Sequence, residues 1–395
     1  MSGPAVDRAP ASFGQFVRAA SDAGALVVQP RMGMTAPAAM RAGLAATKAV
    51  DAVTVGTITV DSFTRVGDHT EVAAALARGV ELNGYPIVDH DVATTRGVLS
   101  GVQDARFPVQ VRHGSARPQR IVAALMAAGL TATEGGPISY CLPYGRLPLD
   151  ESVRNWAQTC ELFAALGETG RTPHLETFGG CLLGQLCPPS LLVAISVLEA
   201  VFFRQHGIRS MSLSYAQQTS AEQDREAIAA LRTLAAELLP DCEWHVVVYA
   251  YMGVYPRSRA GAVELLREAA RLAVRTGSER LIVKTTAESY RIPTIKENVS
   301  ALTVAAAAAE ATTPAGAPAD TGLLAESRAI VDAVLELHPD VGRALVSAFR
   351  SGRLDVPYCL HPDNAGQARG YVADDGRLRW SSIGALPIRD AVGRL

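Results

Sequence analysis

The chain has 395 residues, 48% apolar and 19% charged, with a formal charge of -2; it can bury a large core, and its near-neutral balance excludes an obvious nucleic-acid or membrane-surface partner. No apolar run approaches the roughly 20 residues that span a bilayer, and MSGPAVDRAPASFG lacks a basic start followed by an apolar stretch, so neither a membrane anchor nor a secretory signal is read. Six cysteines (141, 160, 181, 187, 242, 359) include no Cys-x-x-Cys pair and predict reduced thiols in a cytoplasmic protein without a zinc site.

Two textures alternate along the chain. Short β-rich runs occur at 25–30 (ALVVQP), 52–60 (AVTVGTITV), 85–90 (YPIVDH), 107–113 (FPVQVRH), 131–136 (TATEGG), 174–180 (HLETFGG), 210–216 (SMSLSYA), 244–250 (WHVVVYA) and 280–286 (RLIVKTT). Between most of them lie Ala/Leu-rich stretches with helical spacing, such as 37–50, 70–79, 119–129, 190–203, 224–239 and 262–274. Strands alternating with helices imply a parallel sheet, because parallel neighbours need long crossovers. Repetition on this scale predicts an α/β protein of the (β/α)8 TIM-barrel type, with one of the nine candidate strands spare or at the rim. No glycine-rich dinucleotide or phosphate loop follows the first strand, which weighs against a Rossmann sheet.

The barrel is expected over 1–304, followed by an Ala/Pro-rich mobile connector at 305–320 (AAAAAEATTPAGAPAD) and a C-terminal appendage at 321–395. The appendage reads as two helices, TGLLAESRAIVDAVLELH and VGRALVSAFRSG, and then a hairpin signal at ADDGRLRW.

Active sites of such barrels sit on the loops that follow the strands. The strand ends read in order carry Arg31, Arg65, Arg112, Glu134 and Lys284. Several guanidinium groups facing one mouth suit a small substrate with more than one carboxylate, since each grips a carboxylate through two parallel hydrogen bonds. Each arginine could instead pair with a loop carboxylate. The ribbon TEGGPISYCLPYGR (133–146) displays Glu134, Tyr140 and Tyr144 on a backbone stiffened by Pro137 and Pro143, where Gly135-Gly136 lets the chain pass close to a neighbour. Its plainer reading is a backbone-capped buried glutamate with two core tyrosines. His113 is read as structural and Cys181 and Cys187 as packing residues, while Glu176 is a possible supporting carboxylate. In Asp89-His90-Asp91, adjacent residues point to opposite faces, so only part could converge on a metal.

QPRMG, VDSFTR, LNGYPIVDH, QVRHG and EGGPISYCLPY, in that order, resemble the large catalytic (epsilon) subunit family of glutamate mutase, also called methylaspartate mutase. The likeness continues through LETFGGCLLGQLCPPS, YAYMGVYP, KTTAESYRIPTIKEN and VPYCLHPDNAGQARG and covers nearly the whole chain. It implies a (β/α)8 barrel and a radical, adenosylcobalamin-dependent isomerisation of L-glutamate to (2S,3S)-3-methylaspartate. By the same resemblance Arg31, Arg65 and Arg112 match the arginines that hold the substrate carboxylates. Glu134, the candidate catalytic residue, matches the carboxylate that receives the substrate ammonium; Tyr140 and Tyr144 match tyrosines lining the pocket; Lys284 and Glu288 match residues that hold the adenosyl ribose. No Asp-x-His-x-x-Gly cobalt-ligating signature is present, so the resemblance implies a cofactor shared with a small cobalamin-binding (sigma-type) subunit, in a heterotetramer built around a dimer of this chain.

The sequence departs from that family's usual pattern on the adenosine side. Lys284-Thr-Thr-Ala-Glu288 lacks a proline and a histidine, YAYMGVYP stands where a His-Gln-Trp-Met-Gly-Gly-type segment is usual, and GGCLLGQLC replaces a GPLTGTLV-type one. Two other functions stay open at this point: a non-radical barrel lyase acting on a small dicarboxylate, and a non-catalytic substrate-binding partner subunit.

Overall fold

The computed structural model describes residues 12–143, 145–182 and 186–388. Eight parallel strands form its centre: β1 (Val27–Gln29), β2 (Gly56–Thr59), β3 (Val109–Arg112), β4 (Ala132–Gly135), β5 (His174–Thr177), β6 (Ser210–Ala216), β7 (Glu243–Tyr249) and β8 (Arg280–Ile282). Their order is β1-β8-β7-β6-β5-β4-β3-β2. The two ends of that row meet, since Val28 donates its N–H to Val53 O at 3.0 Å and Thr59 donates to Met32 O at 2.8 Å. The result is a TIM-type barrel, as the alternation predicted. Burial on both faces explains why the strands read as β-branched apolar runs interrupted by a few inward polar residues.

The ninth candidate, 85–90, is the spare. Only Tyr85 bridges Val60, after which Asp89 and His90 donate their N–H groups back to Pro86 O in a turn. The crossovers follow the predicted helices closely; Gln119–Ala128 after β3, Pro189–Gln205 after β5 and Ala221–Leu238 after β6 are examples. A helix over Phe13–Asp22, capped by a Ser12/Gln15 box, went unread in the sequence. Phe13 and Val17 pack with Val27, Val55 and Ala132 at the N-terminal end of the barrel and cover it. Access is therefore from the opposite end, where the strands finish.

The helix Ile295–Glu310 takes in the first six residues expected in the connector, in keeping with alanine's helix propensity, and residues 313–321 carry no helix or strand. Helices Leu323–Leu335 and Val341–Arg350 follow and pack against the barrel's outer helices. The hairpin forms where ADDG predicted it, from β9 (Arg369–Val372) and β10 (Leu378–Ser382), with Gly376 at φ 78° in its turn. Gln223 clamps it to the barrel by accepting from and donating to the Leu378 backbone, each at 2.8 Å. Among the described residues no helix is long and apolar enough to cross a membrane.

Candidate functional site

The strand register decides which side chains share the barrel interior. On β4 and β5, Glu134 and Glu176 are direct Cα partners, which sets two carboxylates side by side. Each has its own guanidinium. Arg112, at the end of β3, donates from Nε to Glu134 Oε2 at 2.6 Å, with both side chains almost fully buried. Arg280, at the start of β8, bonds Glu176 from deeper in the barrel, where both are inaccessible to solvent. Arg280 is held in turn by Gln29 and Ser212, and Gln110 donates to Glu176 at 3.2 Å. Burial alone would raise the Glu176 carboxyl, but Arg280 and the Tyr249 hydroxyl hold it below the usual carboxylate range.

The ribbon after β4 is shaped by a residue far along the chain. Glu199, inside the helix Pro189–Gln205, accepts from Ile138 N at 3.2 Å, Ser139 N at 2.9 Å, Ser139 Oγ at 3.0 Å and Phe178 N at 3.3 Å. A Cβ on Gly136 would run into that carboxylate, and one on Gly135, at φ 142°, would strike Trp156. The two glycines thus let the chain wrap a buried anchor, which delivers the Tyr140 hydroxyl to Glu134 Oε1. Glu199 itself is pushed up to about 7 by burial, against those donors.

Above Tyr140 opens a cleft of about 390 Å³, whose lining includes Arg65, Arg117, Tyr140, Arg146 and Glu151. Arg65 was expected at a strand end. It instead sits on a short helix, Ser62–Val66, whose Asp61 cap accepts from Phe63 N and Thr64 N at 2.9 Å each. Tyr144 lies outside the described residues. Arg31, expected to hold substrate, follows β1 and pairs at 3.4 Å with Glu288, one of the two expected ribose residues. Glu288 also accepts from Thr285 N at 2.8 Å, and Lys284 Nζ rests over the Tyr255 ring, 4.4 Å from its centroid. Burial lowers the Lys284 ammonium's pKa, partly offset by Glu288.

The remaining candidates make the following contacts. His113 stacks on Trp156, accepts from Ser115 N at 3.0 Å, and is pushed down to about 3 by burial and by Arg65 and Arg112, so its ring is neutral. Asp89 pairs with His69, His90 meets Thr35 O, and Asp91 caps the helix Val92–Leu99, so the three diverge. Cys181 and Cys187 are buried in the apolar core. Among the described residues no group of three or more His, Cys, Asp or Glu could hold a metal ion.

Three site residues escaped the sequence reading. Arg280 opens its strand instead of closing it, and Glu199 lies in a helix. Tyr249 closes β7, where the strand-end rule could have found it; its hydroxyl reaches both Glu134 and Glu176.

Comparison with known proteins bears on what this arrangement serves. The family model described as Methylaspartate mutase E chain (MutE) matches residues 9–395. The chain is 34% identical over 351 residues to the glutamate mutase epsilon subunit of Halobacterium salinarum, covering 85% of this chain and 73% of that one. It is 31% identical over 349 residues to the epsilon subunit of Escherichia coli O157:H7, covering 84% and 72%. A solved dihydrodipicolinate synthase of Agrobacterium tumefaciens overlaps 83% of this chain and 88% of its own at 12% identity, with a TM-score of 0.33. A family match running from residue 9 to residue 395, with relatives above 30% identity, means that this chain belongs to the methylaspartate mutase E chain family and is a mutase subunit, an isomerase.

Proposed function

We propose that the chain is the catalytic barrel of an adenosylcobalamin-dependent radical mutase that interconverts L-glutamate and (2S,3S)-3-methylaspartate. The observation that carries this reading is the buried Arg112–Glu134 pair beside a cleft that also bears Arg65. A cation and an anion held adjacent and away from water suit the two charges of an amino acid: the carboxylate goes to the guanidinium and the ammonium to Glu134. Arg65 is a cation for the second carboxylate, and Arg31, Tyr140 and Tyr144 complete the proposed substrate set. A hydrocarbon radical tolerates few stray contacts, and the closed floor and buried polar groups of this barrel limit both water and motion.

Lys284 and Glu288 would hold the adenosyl ribose. They fit it chemically, because a diol takes one acceptor and one donor; Glu288 has an oxygen only loosely engaged by Arg31, and Lys284 rests on an aromatic face. Adenosylcobalamin, when bound, supplies a primary carbon radical able to remove hydrogen from an unactivated carbon. This chain binds and orients the substrate and excludes water. Since it lacks an Asp-x-His-x-x-Gly segment, we assign the corrin to a separate small sigma-type subunit, in a cytoplasmic heterotetramer with two copies of this chain.

The test is direct. The chain mixed with a small cobalamin-binding subunit, adenosylcobalamin and L-glutamate should form 3-methylaspartate, detected by proton NMR. Turnover of only a monocarboxylate or a thioester would defeat the reading.

A further inference from the structure

The Tyr249 hydroxyl lies 2.7 Å from Glu134 Oε2 and also bonds Glu176 Oε1. The Arg112 guanidinium lies over its ring, 5.2 Å from the centroid, and Phe178 meets that ring edge-on at 5.5 Å. Both carboxylates are buried and adjacent on neighbouring strands, where they would repel strongly. Arg112 bonds Glu134 and Arg280 bonds Glu176. Tyr249 is the neutral group that bonds both. A phenol carries one proton, so it donates to one carboxylate at a time.

We infer that Tyr249 is a positioning residue that holds Glu134 ready for a substrate ammonium and turns its own proton to Glu176 when the ammonium arrives. This rests on the amino-acid reading proposed above. An ammonium brings three N–H donors to the site and replaces the phenol on Glu134. Rotation of the O–H bond then gives the phenol proton wholly to Glu176, so neither buried carboxylate loses its donors. No covalent bond is made or broken. A dicarboxylate without an amine offers Glu134 no such replacement, and the site is thereby selective for the amine as well as for the acid groups.

The measurement is equilibrium binding of L-glutamate and of glutarate, which lacks only the amine, to the full-length chain and to Tyr249→Phe. Phenylalanine keeps the ring and removes one oxygen. The wild-type preference for glutamate over glutarate should fall about tenfold in Tyr249→Phe, while glutarate affinity stays within about threefold. Equal weakening of both ligands would mean that the residue only packs, and would overturn the inference. A wild-type preference that survives the substitution overturns the role of Tyr249 alone. A wild type with no preference for glutamate overturns the amino-acid reading and this inference with it. Should thermal unfolding reveal that Tyr249→Phe does not fold, Tyr249→Met undergoes the same comparison, with the same outcomes deciding.

Discussion

The Glu199 carboxylate stands where a side chain on Gly136 would have to be. Helix and ribbon are 63 positions apart in sequence, 199 less 136, yet each is shaped to the other. Gly136→Ala should therefore cost about 1–3 kcal/mol or more by overpacking, read as a lower urea midpoint at unchanged slope. A variant as stable as wild type would mean that the ribbon relaxes freely.

Glu199 also makes stability depend on pH. Its folded-state pKa, about 7, lies above the ordinary carboxylate value of 4.5, so the folded chain binds this proton more tightly than the unfolded one. The contribution is fully present below about pH 4.5 and is lost as pH rises through about 7. Asp224, pushed up to about 7 by burial, acts in the same direction. In Glu199→Gln the decline in Tm across that window should be shallower than in wild type. Parallel Tm curves would remove Glu199 as a contributor.

Arg112→Lys keeps the charge but loses the planar fork. Turnover by the assembled enzyme should drop at least about tenfold, or roughly 1.4 kcal/mol. Activity within a factor of two of wild type would take Arg112 out of the site.

Arg280 and Glu176 are a fully buried ion pair. Arg280→Met leaves Glu176 uncompensated and should cost about 3–5 kcal/mol in denaturant unfolding. Combined with Glu176→Gln, the loss should be smaller than the sum of the single losses by about 1 kcal/mol or more. Strict additivity would mean that the two do not act as a pair.

Lys284→Ala should weaken cofactor binding by the assembled complex, with glutamate binding to the isolated barrel unchanged. The isolated chain, lacking a cobalt-ligating segment, should purify colourless and bind adenosylcobalamin weakly, followed by its visible absorbance. Tight binding by the isolated chain would contradict the division of labour proposed between subunits.

Alternation of apolar runs was enough to read nine candidate strands that include the eight, most of their crossover helices and the hairpin at ADDG, because these patterns answer to local geometry: a period of 2 or 3.6, and a turn that needs a left-handed residue. The strand-end rule likewise reached Arg31, Arg112, Glu134 and Lys284, since barrel topology alone puts such positions at the mouth. Tertiary structure decided the rest. Whether 85–90 joined the sheet depended on barrel closure, which leaves room for eight strands and turns Tyr85 into a rim contact. Arg280 and Tyr249 became neighbours of Glu176 only through the register of strands far apart in sequence. Arg31 meets Glu288, which follows the last strand, only because β8 pairs with β1. Two glycines in TEGGPIS signal that something presses on the backbone, but what presses on Gly136 is a glutamate in a distant helix, and no local pattern carries its name.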